Sequence, residues 1–176
     1  MSADRPVITI KVLPKGDERR IAIPILEQSF EGWYQWHAKR TLKDIEEVRA
    51  AVSNNDVAGI AMLKMLDPTK GYVYYIAVSP NFRRMGVGGK LLEDSLQYFF
   101  DHGAFEVYAG ISEDNVESKA LFSSQGFGEV SFSELSTKFG RLHAITMYRK
   151  MVIVSGEVVY VKQLAKTLSE SEQARS

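Results

Sequence analysis

The stretch of sequence that decides the fold is residues 72–100, YVYYIAVSPNFRRMGVGGKLLEDSLQYFF. Its first part is rich in aromatic and β-branched residues, which is typical of a strand, and its last part places Leu92, Leu96 and either Phe99 or Phe100 on one face of a helix. Between the two lies RRMGVGG, residues 83–89, with three glycines within four positions. A strand, a tight basic turn and a helix in this order predict an α/β fold.

This glycine turn has the properties of an anion site. Consecutive backbone N–H groups, the positive end of the following helix and the side chains of Arg83 and Arg84 all favour a negatively charged ligand. Glycine lets a phosphate approach the main chain closely, because it has no side chain. The alternative is that the two arginines form only a solvated surface. We favour the anion site because three glycines follow them directly.

Two common phosphate-binding motifs are excluded by their spacing. A dinucleotide-binding fingerprint needs a further glycine three residues after Gly88, where this chain has Leu91. A nucleotide P-loop needs a glycine five residues before Gly89 and a serine or threonine after Lys90, where this chain has Arg84 and Leu91. The turn therefore suits a pyrophosphate that is held in another way.

The composition limits the possible classes of protein. The chain has 176 residues, about one domain, and no cysteine, which excludes disulfides and thiolate metal sites. His37, His102 and His143 show no metal-ligand spacing, so we expect no metal. Lysine plus arginine equals aspartate plus glutamate at 22 each, so we expect neither nucleic acid nor a membrane as a partner. The apolar runs are too short to cross a bilayer and the start resembles no secretory signal, so we expect a cytoplasmic protein.

The rest of the sequence predicts a single domain over residues 1–165 and a polar tail over residues 166–176. Two β-favouring runs flank residues 54–56 (NND), which have the composition of a hairpin turn. Between residues 135 and 151, apolar residues recur every three or four positions, which predicts an extra helix before the last strand. These apolar residues are Leu135, Phe139, Leu142, Ile145, Tyr148 and Met151.

Two motifs in this frame resemble those of one enzyme superfamily. The spacing Arg83-x-x-Gly86-x-Gly88, entered from a strand that ends in IAVSP, resembles the acetyl-CoA pyrophosphate motif of the GNAT superfamily of N-acetyltransferases. The segment NVESKALFSSQGF, residues 115–127, resembles that family's second signature, an asparagine that opens a short helix ending in Gly-Phe. With the order of elements, the resemblance covers roughly residues 7–164.

The resemblance implies both a fold and a donor site. The fold is α/β of the α+β kind, a single-domain, mixed and mostly antiparallel central sheet that is flanked by helices and splayed at a central parallel strand pair. The strand before the glycine turn would pair with the pantetheine arm of acetyl-CoA, and the turn would hold the pyrophosphate. Asn115 would lie near the pantetheine or the thioester, and Phe122 beside the sulfur. The residues implied to bind acetyl-CoA are Ile76, Ala77, Val78, Arg83, Arg84, Met85, Gly86, Val87, Gly88, Gly89, Asn115 and Phe122.

The activity implied by the resemblance is acetyl transfer from acetyl-CoA to a primary amine by direct attack on the thioester, whose carbonyl a backbone N–H near Val78 would polarise. The acceptor would be a protein N-terminus, a lysine side chain or a small amine. Phe122 stands where many members have a tyrosine as general acid, and Tyr72 and Gly110 stand where some have a glutamate base. The catalytic groups therefore stay open, and a catalytically silent acyl-CoA-binding sensor or assembly module is the alternative function. Candidates for proton transfer are Tyr74, Glu113, Asp114, Ser123, Glu31 and His37.

Residues 32–38, GWYQWHA, form an aromatic group with two possible roles. Its rings either pack into the core or form a wall of the acceptor pocket, because the first helices border that pocket in the resembling family. The candidate acceptor-binding residues are Glu31, Trp33, Tyr34 and His37. The extra helix near residues 135–151 either covers the same pocket or forms a dimer contact, so we expect a monomer or a homodimer.

Overall fold

The computed structural model describes residues 7–164, apart from the side chains of residues 18 and 19. Within that part the chain forms seven β-strands and six α-helices. In chain order they are β1 (Thr9–Val12), α1 (Glu18–Ser29), α2 (Gly32–Thr41), β2 (Glu47–Ser53), β3 (Asp56–Asp67), β4 (Lys70–Val78), α3 (Val87–Asp101), β5 (Glu106–Ser112), α4 (Val116–Ser124), β6 (Gly128–Val130), α5 (Phe132–Phe139), α6 (Arg141–Met151) and β7 (Glu157–Gln163). The tail predicted over residues 166–176 lies outside the described residues, and the domain boundary at residue 165 stays a prediction.

The strands form one sheet in the order β1-β2-β3-β4-β5-β7-β6. All neighbouring pairs are antiparallel except β4 and β5, which are parallel and are linked by helix α3. A parallel pair needs such a long crossover, whereas antiparallel neighbours need only a turn. The mixed, mostly antiparallel sheet predicted from the sequence is thus confirmed.

The parallel pair separates halfway along its length. β4 is paired with β5 only from Lys70 to Val73. Beyond that point β4 continues to Val78 on the side of β3, while β5 continues to Ser112 on the side of β7. A β-bulge lies at the same place, because Tyr74 of β4 has no opposite residue in β3. The predicted splay is therefore present, and it leaves an opening between the two strands.

The helices cover both faces of the sheet, and alternate residues of each strand point to opposite faces. Val107 and Ala109 of β5 belong to the core that packs against α3 and α4. Tyr108, between them, packs against α5 and α6 on the opposite face. On that same face α1 and α2 bury Leu26 and Ala38 against β2, β3 and β4. Helices thus pack against both faces of the sheet.

The turn between β2 and β3 has the geometry that its asparagines predict. Asn54 has a φ of 48° and Asn55 a φ of 70°, so both lie in the left-handed region. Two-residue hairpin turns with this geometry favour asparagine, which tolerates a positive φ. The hairpin predicted at residues 54–56 is confirmed.

The prediction of one extra helix over residues 135–151 is wrong in one respect, because the segment forms two helices. α5 ends at Phe139 and α6 begins at Arg141, and Gly140 between them has a φ of 87° and a ψ of 147°. This backbone conformation ends a helix, and glycine adopts it without steric cost. Leu142 also lies off the predicted apolar face, since it is 82% exposed.

Candidate active site

A cleft opens where β4 and β5 separate, and it encloses about 740 Å³. This volume is within the range of small-molecule and cofactor sites. One end, which we call the glycine-turn half, is lined by the last residues of β4 and by the turn that leads into α3. The other end, which we call the aromatic half, is lined by α2, by the middle of β4 and by the start of β7. The two halves meet at the splay.

The glycine turn begins helix α3 without a side-chain cap. Gly86 is the N-cap residue, with a φ of 81°, and among the described residues no side chain caps the first turn with a hydrogen bond. The backbone N–H groups of Val87, Gly88 and Gly89 therefore lie at the start of the helix, where N–H groups have no acceptor within the helix. A side chain added at Gly86 or Gly89 would meet no atom within 4 Å, so the space before the turn is open. Arg84, with a φ of 62°, completes a turn whose shape and polarity fit a phosphate group.

The end of β4 forms the floor between the turn and the splay. Ile76, Ala77 and Val78 all line the cleft, as the resemblance implies. The carbonyl oxygen of Val78 accepts hydrogen bonds from the Ser29 hydroxyl at 3.3 Å and from Nε of Arg83 at 3.4 Å. The Arg83 side chain is thereby tied to the end of this strand, beside the glycine turn.

Asn115 and Phe122 lie on the β5 side of the cleft. Oδ1 of Asn115 accepts a hydrogen bond from the backbone N–H of Ser118 at 2.9 Å, so it caps α4, and it also lines the cleft. Phe122 is buried, and its ring packs edge-on against Phe127 with centroids 5.0 Å apart. Neither the phenyl ring of Phe122 nor its neighbour Phe127 can supply a proton to a leaving thiolate.

The aromatic half is built on α2. Trp33 stacks on His37 with ring centroids 4.6 Å apart, and Nδ1 of His37 lies 2.9 Å from the Tyr75 hydroxyl. Trp33 and Trp36 are 46% and 56% exposed, so neither indole ring is packed into the core, and Trp33, Tyr34 and His37 line the cleft. Burial, and then the charge of Arg40, lower the pKa of His37 below its ordinary value. His37 is therefore a neutral imidazole at neutral pH.

The aromatic half also contains a carboxylate that the sequence did not reveal. Oε1 of Glu157, at the start of β7, accepts a hydrogen bond from the Tyr34 hydroxyl at 3.2 Å. Burial and the charge of Glu157 raise the pKa of Tyr34, and the same two causes raise the pKa of Tyr74 to about 12. For Tyr72 too, burial first and the Glu157 charge second raise the pKa. Several tyrosine hydroxyls thus surround one carboxylate and keep their protons.

Other residues proposed from the sequence do not line the cleft. Glu113, Asp114 and Ser123 are exposed and do not line it, and the same holds for Glu31. Met85, next to the glycine turn, is 45% exposed and is not a lining residue. Tyr74 and His37 are the candidates for proton transfer that the fold does bring into the cleft.

The groups that line the cleft include hydroxyls, an imidazole and carboxylates. Across residues 7–164 there is no group of three or more histidine, aspartate and glutamate side chains arranged to hold a metal ion. In the same range, no helix combines the length and the apolar character that crossing a membrane requires.

Several known proteins are similar to this chain. The model of the acetyltransferase (GNAT) family matches residues 18–127. N-alpha-acetyltransferase RimI of Mycobacterium tuberculosis is 28% identical over 156 residues, which cover 85% of this chain and 96% of that protein. An uncharacterized protein of Mycobacterium leprae is 30% identical over 137 residues, which are 74% of this chain but 37% of the relative's length. A crystal structure of a GNAT family acetyltransferase from Elizabethkingia anophelis with acetyl-CoA bound has a TM-score of 0.67 at 19% identity, over 92% of this chain and 99% of that one.

The family match and the structural likeness agree with the geometry. The matched region, residues 18–127, is more than half of the chain and contains both the glycine turn and the segment that ends at Phe127. The structural likeness, at low identity, shows the shared fold. The chain belongs to the acetyltransferase (GNAT) family and is an N-acetyltransferase.

Proposed function

We propose that this protein transfers the acetyl group of acetyl-CoA to a primary amine, whose nitrogen attacks the thioester directly. One observation carries the proposal. An uncapped glycine turn and an unpaired strand segment share a single cleft with hydroxyls, a neutral imidazole and a carboxylate. The first two features suit an extended donor that carries phosphate, and the others suit an amine that must lose a proton.

The glycine-turn half supports acetyl-CoA as the donor. The amides of Val87 to Gly89 and the positive end of α3 would hold the pyrophosphate. Beyond Val73, β4 is not paired with β5, so its main-chain groups would pair with the amide-containing pantetheine arm as with an added strand. When bound there, acetyl-CoA supplies a thioester carbonyl and a sulfur leaving group. Asn115 and Phe122 line the cleft on the opposite side.

Acetyl transfer then depends more on how the amine and the thioester are positioned than on reactive side chains. The amine nitrogen, held against the thioester carbon, forms a C–N bond as the C–S bond breaks and its electron pair leaves with sulfur. A backbone N–H near Val78 would stabilise the charge that develops on the carbonyl oxygen. The amine must first be neutral, so a group in the aromatic half has to take a proton from its ammonium form.

Tyrosine hydroxyls can replace the general acid that Phe122 cannot provide. Tyr74 and Tyr75 both line the cleft. Burial, then the charges of Glu157 and Asp44, raise the pKa of Tyr74 to about 12, so its hydroxyl is protonated at neutral pH. Burial also raises the pKa of Tyr75. Either hydroxyl is thus a proton donor available to the cleft, and Tyr74 retains its place as a candidate.

The α-amine of a polypeptide is the acceptor class that we favour over a lysine side chain or a small amine. The relative from Mycobacterium tuberculosis is named an N-alpha-acetyltransferase. In this chain the exposed ring of Trp33, at the mouth of the aromatic half, offers an apolar surface to the residues that follow an N-terminus.

A screen of acceptors by mass spectrometry tests the proposal. Peptides of varied N-terminal sequence, lysine-containing peptides with blocked N-termini and small amines are incubated with acetyl-CoA and the protein. We expect one acetyl group on the α-amine of a subset of peptides, with release of one CoA thiol for each product. If thiol release is unchanged by every acceptor while acetyl-CoA still binds, the result contradicts the proposed transfer and favours the catalytically silent acyl-CoA-binding alternative.

A further inference from the structure

Among the described residues, every partly buried carboxylate but one has a cationic partner. Among the side chains that the structure describes, each buried or half-buried aspartate or glutamate other than Glu157 has an arginine or lysine partner. The pairs are Asp17 with Arg20, Glu47 and Asp94 with Arg49, Asp67 with Lys70, and Glu106 with Lys138. Glu157 is half-buried in the cleft and has no such cation within residues 7–164.

The surroundings of Glu157 are polar but uncharged. Its Oε1 accepts from the Tyr34 hydroxyl at 3.2 Å, and its Oε2 accepts from the backbone N–H of Val154 at 3.1 Å. A methyl group placed on Gly110 would lie 3.0 Å from the Tyr72 hydroxyl and 3.6 Å from Oε2 of Glu157. Hydroxyl and amide donors hold a carboxylate in place but do not neutralise it, and a partly buried anion favours a cationic partner.

Glu106 is a useful comparison for Glu157, because it has both a tyrosine donor and a cationic partner. It lies at the opposite end of the same β5–β7 ladder, and it too accepts a hydrogen bond from a tyrosine, Tyr108, at 2.7 Å. There Lys138 and Gln163 complete its shell. Burial alone would raise the pKa of Glu106, but the hydrogen bonds from these three side chains outweigh it and lower that pKa. Glu157 has the tyrosine and lacks the cation.

We infer that Glu157 is the group that receives the ammonium form of the acceptor and takes its proton. This inference rests on the proposed function and names the recognition group within it. The fold places Glu157 directly opposite Ser112, the last residue of β5, at the splay where the two halves of the cleft meet. An ammonium bound there supplies the missing cation at the place where attack must begin.

Each proton that leaves the acceptor nitrogen has a defined destination. The ammonium gives one proton to the Glu157 carboxylate, which becomes a neutral acid, and the amine nitrogen recovers its lone pair. When the bound acceptor excludes water from the cleft, both the ammonium and the carboxylate are disfavoured. The neutral amine and the neutral carboxylic acid then become accessible. After attack the Tyr74 or Tyr75 hydroxyl gives a proton to the departing sulfur, which leaves as the CoA thiol, and that tyrosine regains a proton from the second N–H of the nitrogen. Glu157 then releases its proton to solvent, and the net products are an amide, a thiol and one proton.

This assignment also limits the class of acceptor. The arginines that line the cleft, Arg83 and Arg84, belong to the glycine turn, and His37 in the aromatic half is neutral at neutral pH. A carboxylate adjacent to the acceptor amine would therefore enter beside Glu157 without a cationic partner among the described lining residues. The site suits a primary amine with no α-carboxylate, as in a peptide N-terminus, and disfavours a free α-amino acid.

Glu157→Gln, compared with Glu106→Gln, tests the inference. Both substitutions remove one carboxylate charge next to a tyrosine on the same strand pair. We expect Glu157→Gln to lower kcat/KM for the acceptor by about 100-fold, the scale of a lost proton acceptor, with unchanged CoA affinity. Glu106→Gln should keep kcat/KM within about twofold, and Glu157→Asp should be intermediate. Thermal unfolding of each variant establishes that it is folded.

The outcomes separate the inference from the proposed function. If the wild type acetylates no amine, the proposed function fails. If the wild type acetylates an amine and Glu157→Gln does so equally well, or if Glu106→Gln loses as much, only the inference fails. A second readout uses phenylalanine amide and free phenylalanine, which differ at the α-carboxylate. The wild type should prefer the amide by at least about tenfold, and no preference would overturn the acceptor class.

Discussion

The two halves of the cleft recognise their ligands with different parts of the chain. The glycine-turn half presents main-chain amides from one continuous stretch of sequence that ends at Gly89. The aromatic half presents side chains from three separate elements, among them Tyr34 of α2, Tyr74 of β4 and Glu157 of β7. A site made of amides tolerates many changes of side chain but few changes of glycine, whereas a site made of side chains can be disabled one group at a time. The effects of substitutions in the two halves should therefore differ both in the property that changes and in the size of the change.

The largest effect is expected at Gly86 in the glycine-turn half. Gly86→Glu places a side chain and a negative charge in the open space before the amides, and it forces a non-glycine residue to a φ of 81°. Loss of charge-assisted hydrogen bonds and added repulsion should weaken CoA binding by at least about 100-fold, measured by calorimetry. Gly140→Glu is the matched control, because Gly140 has a φ of 87° and open space but lies outside the cleft. Equal CoA affinity in the Gly86 and Gly140 variants would contradict our placement of the pyrophosphate.

A smaller effect is expected at Tyr34, which acts on the aromatic half through Glu157. Tyr34→Phe removes the hydroxyl that donates to Oε1 of Glu157, and one hydrogen bond to a charged group corresponds to about a tenfold loss of kcat/KM for the acceptor. CoA affinity should not change. In the Glu157→Gln background the same substitution should cost nothing further, because its partner is already altered. Additive losses in the double variant would show that Tyr34 acts independently, and Tyr148→Phe, outside the cleft, is the control.

The aromatic half should also make the stability of the protein depend on pH, because it contains a histidine, whereas main-chain amides do not titrate. The pKa of His37 is lowered from its ordinary value of 6.5, so the folded protein binds fewer protons than the unfolded chain as the pH falls through this value. Stability should therefore decrease on acidification from pH 7 to about pH 5.5. His37→Phe removes this contribution, so its Tm should depend less on pH. An identical pH dependence in wild type and variant would contradict the buried, neutral state of His37.

The smallest effect is expected at Val152, which follows α6 and lines the aromatic half. Its φ of 57° and ψ of 40° are left-handed, a conformation that a β-branched residue rarely adopts. Val152→Gly should relieve that strain and raise the free energy of unfolding by roughly 0.5–1 kcal/mol, after the added entropy of glycine in the unfolded chain. Val158→Gly, within strand β7, should destabilise instead. If Val152→Gly lowers the free energy of unfolding, the packing of the valine side chain stabilises the protein by more than its left-handed backbone conformation destabilises it.

The same contrast explains how much could be predicted from the sequence. The strand, turn and helix of residues 72–100 follow from a local pattern, and the resemblance of their glycine spacing to a known motif led to the splayed sheet. Glu157 could not be found in this way, because it is 123 positions from Tyr34 and belongs to no motif. Only the pairing of β7 with β5 brings it opposite Ser112. The apolar period likewise continues past Gly140, so it could not show that two helices meet there.

The central claim is that the acetyl group passes in one step from a donor in the glycine-turn half to an amine in the aromatic half. The most direct measurement follows an isotopically labelled acetyl group of acetyl-CoA by mass spectrometry of the intact protein and of a peptide acceptor during a single turnover. Direct attack predicts label on the peptide α-amine and none on the protein at any time. Label that first accumulates on a residue of the protein, or that never reaches an amine, would contradict the account.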